Sequence, residues 1–303
     1  MTKSPLRSWL PAYFVLAVIW GCSFLFIKVG LQSLTPAGVA LSRLTLGLLT
    51  MLVVSAVTRT RLAPRAAWWP LFVTAAIVAA VPWTLFAFGE EHITSALAGI
   101  INGSTPLMTL LAILLVFPEE TPTRERMVGL GLGFVGILIV VGVWQGLGSS
   151  QWMGIAACLG AVALYGISYP YMRRHLAGGA HAVTLTPIAL STGLMAMGTL
   201  QAAAMTAVTG YSHAPLNAQV VLAMLALGVL GSGIAYVLNF RVIKQADATT
   251  ASTVTYFTPL VAVVVGALVL GEPLSWNQPL GGLIVVLGAA IAQGTLQPFG
   301  RTR

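Results

Sequence analysis

The chain has 303 residues, of which only 15 are basic and 7 acidic, against 57% hydrophobic residues and a mean hydropathy of +0.92. Soluble domains carry about 25% charged residues; a charged fraction of 7% cannot cover a water-facing surface, which excludes a soluble enzyme, a nucleic-acid binder and a disordered chain. The formal charge of +8 is spread singly and in pairs through apolar sequence, so it needs another explanation than nucleic acid.

A membrane-crossing helix needs about 20 mostly apolar residues. Runs of this kind fall at 10–29, 37–57, 69–88, 95–117, 127–143, 154–172, 187–207, 220–240, 251–270 and 278–295. The breaks carry turn chemistry, such as Pro64, Glu119-Glu120-Thr121-Pro122, Gly178-Gly179 and Gly271-Glu272-Pro273. No run alternates at period two, so a lipid-spanning barrel is not supported. The first run exceeds the 7–15 apolar residues of a signal peptide and is read as a span. It carries Trp20-Gly21-Cys22-Ser23-Phe24 and, near its end, Lys28; the second begins at Pro36 and holds Arg43 seven residues in, roughly 10 Å at 1.5 Å per residue. The third holds Trp83 and Phe86, and Glu90, Glu91 and His92 beyond it are expected in a solvated loop at an outer mouth. Cys22 and Cys158 lie inside apolar runs with no framework or metal-ligand spacing and read as small buried hydrophobes.

Lys and Arg mark the cytoplasmic side of a membrane protein. With ten spans and a cytoplasmic N-terminus, the inside segments hold Lys3, Arg7, Arg59, Arg61, Arg65, Arg124, Arg126, Arg173, Arg174, Arg241, Lys244, Arg301 and Arg303, and the outside loops hold none. One missed or invented helix would invert every later loop. The bias therefore supports ten spans with both termini inside, and it makes the net charge a topology signal.

The two halves resemble each other. Residues 98–130 and 251–283 align without gaps, with Thr105-Pro106-Leu107 on Thr258-Pro259-Leu260 and Glu119 on Glu272. Upstream, Trp20-Gly21-Cys22-Ser23 with Lys28 aligns on Tyr165-Gly166-Ile167-Ser168 with Arg173. The expected fold is an all-α membrane protein of ten transmembrane helices, built as two five-helix repeats, 1–148 and 149–303. Five is odd, so the second repeat is inverted. Inverted repeats are a transporter architecture, with substrate bound near the midplane between them.

These motifs, with Pro36 and Arg43 on the second helix and a repeated order of Ala-rich helix, Thr-Pro-Leu, apolar run, Glu and Gly-rich helix, resemble the EamA-type branch of the drug/metabolite transporter superfamily. The resemblance covers nearly the whole chain. It implies an alternating-access carrier in the cell (inner) membrane, commonly an exporter of amino acids or other small metabolites. It leaves the metabolite open: an apolar or aromatic amino acid is the first expectation, a base, vitamin or sugar the second, and a membrane receptor or assembly subunit the alternative outside transport. The partners expected are a small-molecule substrate and the lipid bilayer, with no nucleic acid.

Candidate site residues follow from polarity and aromaticity inside spans. Pro106 and Pro259 each remove a helix hydrogen bond and free the carbonyl four residues back, at Asn102 and Thr255. Ser104, Thr105, Thr253, Tyr256 and Thr258 surround these kinks, so a midplane pocket with two hinges is expected, against the alternative of hydroxyls bonded back into their own helices. Trp20, Phe24, Trp83 and Phe86 in the first half, with Tyr165, Tyr169, Tyr236 and Asn239 in the second, would supply an apolar ring surface and an orienting amide. Trp9, Trp68, Trp69, Trp144, Trp152 and Trp276 fit an interfacial belt instead. For Arg43, structural anchoring or gating is preferred over a substrate carboxylate or snorkelling; Lys28 is expected to snorkel, and Glu119 and Glu272 to pair or cap at helix ends. No Asp or Glu falls mid-span on this reading, which argues against the proton-binding glutamate of the small multidrug-resistance carriers. No nucleotide motif, protease dyad or cofactor site is found, so no enzyme and no cofactor is expected.

Overall fold

The computed structural model describes residues 9–116, 123–146, 148–176, 185–245 and 253–296, with the backbone alone at 145, 169 and 173. Among the described residues the chain is helical apart from one isolated antiparallel bridge, Leu34 with Ser212. In chain order the helices are α1 (Leu10–Gly30), α2 (Pro36–Val57), α3 (Arg65–His92), α4 (Ser95–Val116), α5 (Arg124–Val141), α6 (Ser149–His175), α7 (Pro187–Thr209), α8 (Ala218–Gln245), α9 (Val254–Val269) and α10 (Asn277–Ala292). Seven of them, α1–α4 and α6–α8, are long and apolar enough to cross a membrane. α9 and α10 are shorter apolar helices, and α5 carries Arg124, Glu125 and Arg126 in its first turn.

The helix starts follow from local chemistry. Thr35, Thr94, Thr123, Thr186 and Asn217 each accept the backbone N–H three residues on, a cap worth about 1 kcal/mol. Pro36 and Pro187 follow their caps at the first helical position, where the missing N–H costs nothing. Large apolar side chains face outward, among them Val57, Leu115 and Leu268 at 78%, 74% and 81% exposure. A surface of this kind suits lipid rather than water.

Three departures from the expected elements bear on the site. The third run does not end at 88: α3 continues to His92, and Glu90 is fully buried rather than in a solvated loop. Within α3, Pro82 lacks the N–H that would bond the Val78 carbonyl, and the helix just before it is wound as a π turn over Ala76–Ala80. α8 contains a longer π stretch, Ala226–Ile234. There Gly228 and Gly233 let its backbone meet α2: an added Cβ would stand 2.4 Å from the Leu46 side chain and 2.3 Å from that of Thr50. α4 is broken at Gly103-Ser104 rather than bent at Pro106.

Packing joins the two halves throughout. α1 lies against α8 and α9, α6 against α3 and α4, α2 against α7 and α8, α3 against α7, and α4 against α9. α5 and α10 form the most intimate pair. Gly129 and Gly133 on α5 face Gly288 on α10, and a Cβ on Gly288 would fall 2.6 Å from the Gly133 nitrogen. With lipid as solvent, such backbone approach at small residues supplies the van der Waals contact that holds helices together. The α1–α2 and α7–α8 connections are tied by Thr35 N–H to the Tyr211 carbonyl at 3.1 Å, His213 N–H to the Ser33 carbonyl at 3.0 Å, and the Ser33 hydroxyl to the Pro215 carbonyl at 3.0 Å.

Candidate functional site

A cavity of about 200 Å³ lies among α1, α2, α3, α4, α6, α8 and α9. α1 gives it Trp20, Ser23, Phe24 and Ile27, one helical face at i, i+3, i+4 and i+7. α2 gives Arg43, and α3 gives Val78, Trp83 and Phe86 on either side of Pro82. Asn102 and Thr105 flank the break in α4, Tyr165 comes from α6, Tyr236 from α8, and Thr255 and Thr258 from α9.

The walls are aromatic. Phe24 and Phe86 meet edge-on at 5.7 Å between ring centroids, and Phe86 meets Tyr165 at 6.0 Å. Opposite, Trp20 and Tyr236 meet edge-on at 6.5 Å. Edge-to-face pairs of this separation hold rings in fixed orientations. The Tyr236 ring therefore depends on the π stretch that precedes it, as that of Trp83 depends on the π turn and Pro82.

Arg43 is the polar centre. Its guanidinium carbon stands 3.8 Å from the centroid of the Trp83 ring, and its Nε donates to the Ser232 hydroxyl at 2.9 Å. Ser232 is fully buried inside the π stretch of α8. No other hydrogen bond from the guanidinium to a described residue is formed, so its terminal amino groups are left to the cavity it lines. Arg43 thus does not snorkel. It bridges α2, α3 and α8 and presents a positive charge beside two tyrosines and two tryptophans. A planar cation held this way suits a carboxylate, which it can meet with two parallel bonds.

The structure brings Trp20, Phe24, Trp83, Phe86, Asn102, Tyr165 and Tyr236 to one cavity and leaves other candidates out. Asn239 lies one turn beyond Tyr236 and does not line it. The Tyr256 hydroxyl donates to the Ala289 carbonyl at 3.2 Å and to Gln293, so this ring joins α9 to α10. The side chain of Tyr169 and all of Glu119 lie outside the described residues. Near Pro106 the freed Asn102 carbonyl accepts the Thr105 hydroxyl at 2.7 Å, while Ser104 bonds back to the Ile101 carbonyl at 2.6 Å. Pro259 lies inside α9, and Thr258 bonds back to Val254 at 3.4 Å. Lys28 turns inward, where its ammonium donates to the Glu90 carbonyl and, at 3.0 Å, to the Ile93 carbonyl, closing the C-terminus of α3. Glu272 accepts the N–H groups of Ser95 and Ala96 at 2.8 and 3.0 Å and the Ser95 hydroxyl at 3.0 Å, capping α4. Five of the belt tryptophans, Trp68, Trp69, Trp144, Trp152 and Trp276, are exposed.

Sequence reasoning passed over Ile27 and Val78 and quoted Ser23 only as part of a motif. Ile27 was within reach, because Trp20 and Phe24 already mark its helix face. Val78 had no signal beyond its position four residues ahead of Pro82.

A multi-pass helical membrane protein enclosing a small, aromatic, singly charged cavity is the architecture of a solute carrier. The EamA-like transporter family matches residues 7–142 and again 152–293, and the chain belongs to that family. Its relatives include an uncharacterized transporter of Archaeoglobus fulgidus, 24% identical with 89% of this chain and 92% of the relative covered. The protein PagO of Salmonella typhimurium is 23% identical, with 91% and 90% covered. A probable terminal-alkyne amino-acid exporter of Streptantibioticus cattleyicolor is 25% identical, with 90% and 89% covered. A solved crystal structure shares the fold with a TM-score of 0.65 at 17% identity, covering 94% of this chain and 96% of that one.

Proposed function

We propose that this transporter is a secondary carrier that exports small zwitterionic metabolites, apolar or aromatic amino acids foremost, by alternating access. The observation that carries the reading is the cavity itself. Arg43 offers a guanidinium to a carboxylate, Asn102, Thr105 and Tyr236 offer orienting polar atoms, and the rings of Trp20, Phe24, Trp83 and Phe86 offer an apolar surface to a side chain. The relative named a probable terminal-alkyne amino-acid exporter is in keeping with that chemistry.

The mechanism follows from a ten-span, inverted-repeat reading with both termini in the cytoplasm. Three observations support the repeat. The family matches the chain twice. Thr-Pro caps open both α2 and α7, and π segments interrupt both α3 and α8. The helix packing also keeps its pattern when the halves are exchanged: α1 on α9 corresponds to α6 on α4, and α2 on α8 to α7 on α3. Rocking of these groups about the cavity, with the chain yielding at the Gly103-Ser104 break ahead of Pro106 and at Pro259, would expose Arg43 to each side in turn.

The test is flux in proteoliposomes. Reconstituted protein is expected to exchange labelled phenylalanine or leucine against the same solute inside. An absence of counterflow across a panel of amino acids and other small metabolites would refute the carrier reading.

A further inference from the structure

Glu90 is fully buried, and neither of its carboxylate oxygens has a hydrogen-bond partner among the described residues. It shares the face of α3 that bears Trp83 and Phe86, at i, i+3 and i+7, and so lies about 10 Å along the helix from Trp83 at the end of the cavity wall. The charged and titratable groups that act on it come from every side. Its charge is felt with those of Lys28 on α1, Arg43 on α2 and Glu272 in the connection between α9 and α10, and it acts on Cys158 of α6, none of them bonded to its carboxyl group; Glu91 and His92 follow it on α3.

Each of the strong groups is engaged elsewhere. The Lys28 ammonium donates to two backbone carbonyls, Arg43 is held by Ser232 and Trp83, and Glu272 caps α4. A fully buried carboxylate that no donor meets is strongly disfavoured in its ionised form, and such a group takes up a proton. Acids within membrane helices commonly mark proton paths.

We propose that Glu90 is a proton-binding site within the membrane, neutral in this conformation, that takes a proton from the outer side and gives it to cavity water when the carrier opens inward, so that substrate export is exchanged for inward proton movement. The coupling rests on the carrier reading above; the proton site does not. Lys28 suits both states, since releasing a backbone carbonyl would let it turn to the carboxylate that ionisation creates.

The chain has only seven acidic residues, which makes the protonated one visible to infrared spectroscopy. In neutral buffer the wild-type protein in lipid nanodiscs is expected to show a carboxylic-acid carbonyl band that Glu90→Gln lacks and Glu90→Asp keeps. In proteoliposomes an outward-directed phenylalanine flux should be driven by an imposed pH gradient in wild type and in Glu90→Asp. Glu90→Gln should still exchange phenylalanine between equal pools yet lose the response to the gradient. A band that persists in Glu90→Gln, no such band in wild type, or a Glu90→Gln flux that follows the gradient like wild type would overturn the proposal. A Glu90-specific band without phenylalanine exchange in wild type would uphold the proton site and count against the carrier reading for this substrate.

Discussion

Arg43 offers the sharpest test of how the cavity recognises its substrate. The guanidinium is fixed by the Trp83 ring at 3.8 Å and the Ser232 hydroxyl at 2.9 Å, which leaves its terminal amino groups to meet a carboxylate. A hydrogen bond involving a charged group is worth about 1.5–3 kcal/mol, or roughly 10–150-fold in affinity at 1.4 kcal/mol per decade. Phenylalanine should therefore bind the wild-type protein roughly 10-fold or more tighter than phenylalaninamide, which lacks the carboxylate. Arg43→Gln removes the charge, and the two ligands should then bind within about threefold of each other, below 0.7 kcal/mol. Arg43→Lys keeps the charge but gives up the planar contact with Trp83, worth up to about 2 kcal/mol when desolvated, and should fall between. Competition binding on detergent-purified protein reads all three ratios. If Arg43→Gln still discriminates the acid from the amide as wild type does, the guanidinium does not bind the carboxylate, and its role is to tie α2 to α8.

Further outcomes follow from the packing. Trp83→Ala and Asn102→Ala should each lower phenylalanine flux by roughly tenfold, about 1.4 kcal/mol, with normal membrane insertion; full rates in both would place the site elsewhere. Gly288→Ala sets a Cβ 2.6 Å from the Gly133 backbone and should cost about 1–3 kcal/mol of stability, seen as a lower thermal midpoint in detergent. Gly131→Ala, whose Cβ would meet nothing within 4 Å, should leave the midpoint unchanged or raise it, by up to about 1 kcal/mol. Glu272→Ala strands the Ser95 and Ala96 N–H groups and should destabilise by about 1–3 kcal/mol, with proteolysis near residue 95 as the local readout.

The helices were legible because apolar run length is a property of short windows. Leu10–Gly30, Pro36–Val57 and Pro187–Thr209 fall within a few residues of their expected runs. The aromatic face of α1 was legible for the same reason. Glu90 was not. Three consecutive polar residues, Glu90-Glu91-His92, read as the end of a span, because nothing local says that Lys28, 62 residues earlier, closes that helix from within the protein. Ser232 was hidden similarly, as an ordinary serine among glycines until α2 brings Arg43 to it. The π segments leave no trace in hydropathy, and they rotate Trp83 and Tyr236 relative to the helix that precedes each.

The glycine-faced pair α5 and α10 supplies no residue to the cavity. Their contact is main chain against main chain, with Gly136 set against Val285 and Gly281 against Val140, so there are few rotamers to rearrange and little room for sliding. Such a pair travels as one solid body or stays still. For spectroscopists it is a built-in datum: a distance between probes on these two helices calibrates the instrument, and displacements of α1, α3 or α8 measured from it separate genuine gating from whole-molecule tumbling. For anyone reshaping the substrate range, it marks the part of the molecule to leave alone.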